Sequence, residues 1–325
     1  MRAARCETYG PPERVVVEQV PDLHAGDGGA LVAVHAASVN YPDVLIVADE
    51  YQVSIPPPFT PGSEFAGVVV DVGRDAGQVR VGDRVCGSTF IGAFAEQTAV
   101  PVAALTPVPA SVTFAEAASF GVVYSTAYHA LRSVAEVRPG EWVAVLGAAG
   151  GVGLAAVDLA RHLGARVLAA ASSDEKLEVC RERGAEALVN YARDDLKVAM
   201  KDLTGGGADV VIDPVGGPYS EPALRATRWG ARFVVVGFAS GEIPRIPLNL
   251  VLLKGVVVKG FEFRTFAEHA PEAARRDREE LLALFAEGKV RPYVSSVYPL
   301  DRVGEALREV ADRRAIGKVV VEPVP

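Results

Sequence analysis

The segment that most constrains the fold is a glycine-rich run of seven residues, Gly147-Ala148-Ala149-Gly150-Gly151-Val152-Gly153. It follows an apolar stretch typical of a buried strand, Trp142–Leu146, and precedes a helical pattern that ends at Gly164. Between a strand and a helix, Gly147 allows a tight turn, Gly150 lets backbone N–H groups approach a pyrophosphate, and Gly153 lets helix and strand pack closely. A glycine-rich turn without a ligand is the alternative, but this context favours a dinucleotide-binding βαβ unit.

The remaining sequence shows two patterns of secondary structure, which predict two domains. Up to about residue 109, short β-branched runs broken by Gly, Pro and Asp predict an antiparallel barrel or sandwich, with strands at residues 15–17, 31–34, 68–72 and 100–104. From about residue 121, apolar strands alternate with helical stretches. This alternation predicts a doubly wound parallel sheet, with strands at residues 142–146, 166–171, 187–189, 210–212, 232–236 and 256–259.

The last part of the chain is expected to return to the first domain. An amphipathic helix around residues 278–286 is followed by short strand-like runs at 294–297 and 318–321, which are similar to those near the N-terminus. The sequence therefore predicts one domain formed by residues 1–121 and 264–325, and a nucleotide-binding α/β domain formed by residues 122–263.

Charge and cysteine content restrict the partners and the compartment. The 41 acidic and 33 basic side chains give a formal net charge of -8, which would repel nucleic acids and anionic membranes. The cysteines are too few for a disulfide framework or a cysteine-built zinc site, and the N-terminus lacks the apolar core of a signal peptide. We therefore expect a soluble cytoplasmic protein without nucleic-acid or membrane partners.

The end of the second strand of the nucleotide-binding domain predicts which dinucleotide binds. An NAD site places an Asp or Glu there, on the ribose 2′-hydroxyl. This strand instead ends in Ser172 and Ser173, with Lys176 close behind. These side chains could hydrogen-bond to a 2′-phosphate and neutralise it, so the sequence favours NADPH. The alternative is that Ser172 and Glu175 form only a helix capping box.

Several separated motifs resemble those of the medium-chain dehydrogenase/reductase superfamily, in particular its zinc-free quinone oxidoreductase, or zeta-crystallin, branch. They are SVNYPD at residues 38–43, PGSEFAG at 61–67, VGDRV at 81–85, the glycine loop at 147–153, and DPVGG at 213–217. The resemblance covers essentially the whole chain. It implies a GroES-like β-barrel domain and a Rossmann domain with a doubly wound parallel sheet, with the active site in the cleft between them.

The resemblance also implies that zinc is absent. In the zinc alcohol dehydrogenases of the superfamily, a Cys stands at the position of Asn40 and a His at that of Ser63. An amide and a serine hydroxyl are poor substitutes for thiolate and imidazole on Zn²⁺. Cys86 is alone in its segment, so the cysteine-rich lobe that binds structural zinc is missing too. We therefore expect no metal site.

The quinone reductase pattern implies a set of substrate and nicotinamide neighbours, namely Asn40, Asp43, Tyr51 and Thr126. Asn40 and Asp43 could instead satisfy a turn, and Thr126 could be an ordinary residue at a helix start. The same pattern has a Tyr where this chain has Leu45, so the substrate pocket is expected to differ from that of the relatives.

The cofactor-binding residues fall into three groups. The glycine loop would contact the pyrophosphate through Gly147, Ala149, Gly150, Gly151, Val152 and Gly153. By the resemblance, Lys176 and Tyr191 flank the adenosine phosphate, together with Ser172 and Ser173. The segment after the fifth strand would cover the nicotinamide through Gly237, Phe238 and Ser240. Tyr191 could alternatively cap the core with its hydroxyl in water.

The chemistry expected of these residues is hydride transfer to an activated acceptor. Without a metal there is no strong Lewis acid, but a quinone or conjugated enone is already electrophilic. The protein would hold the acceptor against the nicotinamide and donate hydrogen bonds to its oxygen, with Asn40 and Tyr51 as donors and Tyr51 or water as proton source.

Two alternatives to a quinone reductase stay open. One is an ene-reductase acting on enals, enones, or acryloyl and enoyl thioesters, because it would use the same cofactor and a similar cleft. The other is an NADPH-binding, crystallin-like structural or regulatory protein with little turnover. For any of them the resemblance implies a homodimer, formed by pairing the Rossmann edge strand around residues 256–259 with its copy across a two-fold axis. The apolar run at residues 256–258 would otherwise leave an exposed edge of the sheet.

Overall fold

A computed structural model describes residues 1–323, which form two compact units. Unit 1 consists of residues 1–122 and the chain from Arg291 onward, and unit 2 consists of residues 123–290. The strands are β1 (Arg2–Cys6), β2 (Val15–Gln19), β3 (Gly29–Val39), β4 (Glu64–Val72), β5 (Arg84–Ser88), β6 (Gln97–Pro101), β7 (Leu105–Pro107), β8 (Trp142–Leu146), β9 (Arg166–Ala171), β10 (Ala187–Asn190), β11 (Ala208–Asp213), β12 (Thr227–Val235), β13 (Val257–Gly260), β14 (Val294–Pro299) and β15 (Lys318–Glu322).

The helices of the described residues alternate with the strands mainly in unit 2. They are α1 (Tyr41–Ala48), α2 (Phe114–Ala118), α3 (Gly121–His129), α4 (Gly151–His162), α5 (Asp174–Glu182), α6 (Leu196–Thr204), α7 (Ser220–Arg225), α8 (Leu248–Lys254), α9 (Phe263–His269), α10 (Pro271–Ala286) and α11 (Val303–Ala311). None of them, within residues 1–323, has the length and apolar character needed to cross a bilayer.

Unit 1 is built on a seven-stranded sheet in the order β14-β15-β3-β4-β5-β7, with β6 also paired to β3. All of these pairs are antiparallel except β14 with β15. Alternating residues of β3 and β4 bury their side chains in a core that includes Val32, Phe65 and Phe94. The C-terminal strand β15 pairs with β3, so the tail of the chain lies in unit 1.

Unit 2 contains a parallel six-stranded sheet in the order β10-β9-β8-β11-β12-β13. The strand order reverses between β8 and β11, and in open parallel sheets ligands bind beyond the carboxyl ends of the strands at such a switch point. Leu146, Met200 and Phe233 are fully buried between the sheet and its helices. The doubly wound sheet is confirmed, and β8 and β9 have the predicted bounds.

Two expectations about the organisation of the chain are wrong. Residues 100–104 do not form one strand: β6 ends at Pro101, whose missing N–H cannot continue the ladder, and a 3₁₀ turn at Val102–Ala104 follows. The segment 264–290 lies in unit 2 rather than in unit 1. The buried Asp277 of α10 holds it there, because its carboxylate accepts a hydrogen bond from Ser133 and lies 3.0 Å from His129 Nδ1.

Candidate active site

The glycine loop joins β8 to α4 with the geometry of a dinucleotide cradle. Gly147 has a φ of +56°, which favours glycine, and its carbonyl accepts a hydrogen bond from Gly150 N–H at 2.9 Å. A Cβ added to Gly153 would overlap the Gly147 carbonyl. No side chain caps the N-terminus of α4, so its first N–H groups can receive an anion. These features fit a pyrophosphate at this loop.

The residues expected at the 2′-phosphate meet beyond the end of β9. Lys176 Nζ donates a hydrogen bond to Ser172 Oγ at 3.3 Å, and burial lowers the pKa of Lys176. Ser173, rather than Ser172, is the N-cap of α5 and accepts the Lys176 N–H at 3.3 Å. The alternative capping box of Ser172 and Glu175 therefore does not form at the N-terminus of α5. Ser172 and Lys176 present a hydroxyl and an ammonium together.

Sequence reasoning missed two residues that lie near the Ser172 and Lys176 pair beyond β9. Arg193 pairs with Asp174 at 3.0 Å, so the acid in the first turn of α5 is matched by a cation. Tyr219 lies against Tyr191, with ring centroids 4.3 Å apart. Tyr191 itself follows β10 and donates its N–H to Ala171 O, at the end of β9. The position of Arg193 two residues after Tyr191 could have suggested it, whereas nothing in the sequence pairs Tyr191 with Tyr219.

The segment after β12 lies along the loop that follows β11. Ser240 N–H donates to Val215 O at 2.8 Å, and Phe238 keeps 40% of its surface exposed. The buried carboxylate of Asp213 organises this loop, because it accepts hydrogen bonds from Gly216 N–H at 2.8 Å and from Ser220. The loops beyond β8, β9, β10, β11 and β12 thus lie at the carboxyl edge of one parallel sheet, as a dinucleotide site requires.

Thr126 lies in α3 of unit 2 and is partly exposed. Two residues earlier on the helix, Tyr124 donates a 2.6 Å hydrogen bond to Asp158 of α4. Arg183 lies 3.3 Å from the same carboxylate, so a partly buried ion pair positions the Asp158 side chain that accepts from Tyr124 of α3. The hydrogen bond from Tyr124 therefore holds the helix that carries Thr126 against α4. The sequence did not indicate this role of Tyr124.

In unit 1, Asn40 and Asp43 belong to a group of polar residues, all buried except Ser63, that we call the Asn40 cluster: Asn40, Asp43, Ser63, Glu64 and Lys318. Lys318 Nζ donates to Asn40 Oδ1 at 2.6 Å, and Asn40 Nδ2 donates to Glu64 Oε2 at 3.2 Å and to Ser63 Oγ at 3.4 Å. Asp43 Oδ2 accepts the Asn40 N–H at 2.7 Å at the start of α1. Both the carbonyl oxygen and the NH₂ group of the Asn40 side chain are therefore hydrogen-bonded within the protein.

The charges of the Asn40 cluster are strongly perturbed. Burial raises the pKa of Asp43 to about 7 and also raises the pKa of Glu64. Burial lowers the pKa of Lys318, although its Nζ lies 3.9 Å from Glu64 Oε2. Sequence reasoning missed Lys318 and Glu64, because Lys318 is 278 positions from the Asn40 it binds. The sequence did contain one signal for this cluster, because Lys318 is a charged residue in the otherwise mostly apolar strand β15.

Tyr51 lies on the segment after α1 and packs on the unit 1 core, with its ring centroid 6.3 Å from that of Phe90. Its side chain is partly exposed, as a substrate-facing tyrosine would be. Within unit 1, then, Asn40 and Asp43 are brought together, and Tyr51 is placed beyond the C-terminal end of the same helix. Residues 1–323 contain no group of three or more His, Cys, Asp or Glu side chains arranged to hold a metal ion.

Comparison with known proteins places the chain in a family. Residues 26–110 match the family described as "Alcohol dehydrogenase GroES-like domain", and residues 151–286 match "Zinc-binding dehydrogenase". The chain is 39% identical to the quinone oxidoreductase-like protein 2 homolog of Nematostella vectensis over 326 residues, which cover 98% of this chain and 88% of that relative.

Solved structures agree with this placement. Escherichia coli quinone oxidoreductase complexed with NADPH superimposes with a TM-score of 0.90 and 27% identity, covering 99% of this chain and 100% of that one. A structure described as an NAD-dependent alcohol dehydrogenase gives a TM-score of 0.91 and 30% identity over 100% of both chains. With its GroES-like and Rossmann domains, this chain is an oxidoreductase that belongs to the quinone oxidoreductase branch of the medium-chain dehydrogenase/reductase superfamily.

Proposed function

We propose that this protein uses NADPH to reduce quinones or similar conjugated carbonyl acceptors without zinc. The observation that carries the proposal is the donor set of the Asn40 cluster. Asn40 and Ser63 stand where the zinc alcohol dehydrogenases have metal ligands, and here they hydrogen-bond to each other at 3.4 Å. Amide and hydroxyl groups bind Zn²⁺ poorly but serve well as hydrogen-bonding groups. Such a site suits an acceptor that is already electrophilic.

The side chains that lie beyond the end of β9 support the preference for NADPH. Lys176 and Ser172 converge there, and the nearby carboxylate of Asp174 is paired with Arg193 and Asn190. Lys176 could therefore offer a charge-assisted hydrogen bond to a 2′-phosphate while the Asp174 carboxylate is already paired. Similar structures include one complexed with NADPH and one described as NAD-dependent, so the choice rests on these residues.

Bound NADPH would supply a hydride to the acceptor. The protein's own contribution is to exclude water, orient the acceptor and donate a hydrogen bond and a proton to its oxygen. We infer that Tyr51 and Ser63 face the acceptor, because both keep exposed surface, whereas Asn40 is 4% exposed and engaged within the cluster. Thr126, on the fixed helix α3, would contact the nicotinamide.

A comparison of three acceptors tests this function. Purified enzyme with NADPH is assayed with a quinone, with a conjugated enone and with an acryloyl thioester. We expect the largest kcat/KM for the quinone, and elemental analysis should find no stoichiometric zinc. Higher kcat/KM for the enone or thioester would instead assign an ene-reductase. NADPH binding without turnover of any acceptor would favour a structural or regulatory role.

We also propose that the protein is a homodimer formed through β13, the edge strand of the unit 2 sheet. Val257 and Val258 of this edge are 48% and 45% exposed, and Leu252 of the preceding α8 is 80% exposed. An unpaired apolar edge of this kind invites pairing with a second copy. Sedimentation should give a dimer, and Val258→Lys should give a monomer; a wild-type monomer at micromolar concentration would contradict the proposal. A cytoplasmic location likewise stays a prediction.

A further inference from the structure

The Asn40 cluster contains two carboxyl groups but one ammonium group. Asp43 and Glu64 are each 1% exposed, and Lys318 is 3% exposed. If all three were ionised, the cluster would carry a net negative charge away from water, which is costly. One proton shared with a carboxyl removes that charge. The composition of the cluster therefore indicates that one of its two acids is held protonated.

The hydrogen bonds indicate which acid carries the proton. Glu64 accepts the Val122 N–H at 2.8 Å and the Asn40 amide at 3.2 Å, and it is the carboxyl nearest to Lys318. These contacts favour its ionised form. Asp43 accepts one backbone N–H through Oδ2, while its Oδ1 is buried without a well-formed hydrogen bond. A proton on Asp43 Oδ1 turns this unsatisfied acceptor into a donor.

Ser63 connects this carboxyl to the surface. Its hydroxyl lies beside the Asp43 carboxyl, whose pKa it lowers, and the hydroxyl oxygen accepts a hydrogen bond from Asn40 Nδ2. Ser63 is also partly exposed, whereas the other four members of the cluster are buried. A hydroxyl that accepts a hydrogen bond from Asn40 keeps its own proton available for donation, and the exposed part of Ser63 leaves it accessible to an acceptor.

We propose that Ser63 is the catalytic proton donor of the reduction and that Asp43 is the buried proton source behind it. This inference rests on the proposed function. Once the acceptor holds the hydride, its oxygen carries a negative charge. A new O–H bond forms between that oxygen and the Ser63 proton, the Ser63 O–H bond breaks, and Asp43 Oδ1 returns its proton to the Ser63 oxygen. Asp43 is left as a carboxylate and takes a proton from water before the next turnover.

The remaining charges near α1 do not compete for this role. Asp43 is faced by Lys318 of β15 and by Glu64 of β4. The helix α11 also packs against α1, but its charged side chains are engaged elsewhere: Glu305 with Arg302, Arg308 with Glu13, and Glu309 with Tyr298. The protonation of Asp43 is therefore set by the cluster itself.

The test is the pH profile of kcat for quinone reduction in Ser63→Ala, Ser63→Thr and Asp43→Asn. In the wild type kcat should fall as pH rises through the pKa of Asp43, because the proton source is then ionised. Ser63→Ala should lower kcat roughly a hundredfold and lose this pH dependence, while Ser63→Thr keeps both the rate and the profile. Asp43→Asn should fold, because it retains the acceptor for Asn40 N–H, but it should lose the inflection. NADPH affinity should not change.

Controls separate the proton relay from a structural role. Ser296→Ala, which alters a serine of the same unit that bonds Glu309, should leave the profile unchanged. Infrared spectra of the wild type should show a protonated carboxyl band that is absent in Asp43→Asn. If the wild type turns over a quinone but Ser63→Ala keeps its profile, or the band persists in Asp43→Asn, the relay alone is overturned. A wild type that reduces no quinone overturns the proposed function, and the relay with it.

Discussion

The two functional regions of the molecule handle charge in opposite ways. In unit 2, the N-terminus of α4 and the Ser172 and Lys176 pair present polar groups at the edge of a sheet, where an anion can arrive from solvent. In unit 1, the Asn40 cluster keeps its own charges out of water and matches them internally. Substitutions in the first region should therefore act mainly on cofactor binding. Substitutions in the second should act mainly on stability, on its pH dependence and on proton transfer to the acceptor.

The largest effect is expected at the glycine loop. Gly153→Ala places a Cβ against the backbone of Gly147 and Ala148, which cannot move away as a flexible side chain could. We expect α4 to shift and NADPH binding to weaken by about 1,000-fold, or about 4 kcal/mol. Gly260→Ala is the control, because a Cβ there meets no atom within 4 Å. Calorimetric titration would contradict this account if both variants bound NADPH like the wild type.

The next effect concerns the buried ammonium of the Asn40 cluster. Lys318→Met leaves Glu64 buried without its counter-charge, so the free energy of unfolding should fall by about 3 to 5 kcal/mol. Adding Glu64→Gln removes the unmatched charge, and the double variant should regain more than half of the loss. Chemical denaturation measures both values. Additive losses in the double variant would show that the two residues do not form a charge pair.

An effect that is smaller per pH unit should appear in the pH dependence of stability. The folded pKa of Asp43, about 7, is above its ordinary value of 3.8, so its contribution to stability is complete below pH 3.8 and is lost as pH rises through about 7. Asp43→Asn has no such loss. Relative to the wild type, its free energy of unfolding should therefore increase by about 1.4 kcal/mol per pH unit between pH 3.8 and about 7. The total increase should be on the order of 4 kcal/mol.

The same series of denaturation curves contains its own control. Above the folded pKa of Asp43 both states of the wild type are ionised, so the difference between the two proteins should become constant. A difference that does not change with pH across the whole range would mean that the pKa of Asp43 is the same in the folded and unfolded states.

The contrast between the two regions also explains what the sequence could predict. The glycine loop, β8 and β9 were predicted with their bounds because their function is carried by neighbouring residues in a strand, a turn and a helix. The Asn40 cluster depends on pairing between β3 and β15, which brings Lys318 beside Asn40 from the far end of the chain. Residues 264–290 were misplaced for the same reason, since the partner of Asp277 is the distant His129. Local patterns predict local sites, whereas long-range contacts require the fold.

The smallest expected change in binding free energy is at Lys176. It tests whether Ser172 and Lys176 bind the 2′-phosphate of NADPH. A charge-assisted hydrogen bond to phosphate contributes about 1.5 to 3 kcal/mol, so Lys176→Ala should weaken NADPH binding by roughly tenfold to a hundredfold. NADH lacks the phosphate and should bind to the variant as it does to the wild type. Lys197→Ala, which removes an exposed lysine of α6, is the matched control and should change neither affinity.

The most direct test of the central claim, an NADPH-dependent oxidoreductase that recognises the 2′-phosphate beyond β9, is therefore calorimetric titration of the wild type and Lys176→Ala with NADPH and with NADH. The account predicts tighter binding of NADPH than of NADH by the wild type, and a loss in the variant confined to NADPH. Equal, small losses for both cofactors, or tighter binding of NADH by the wild type, would contradict it.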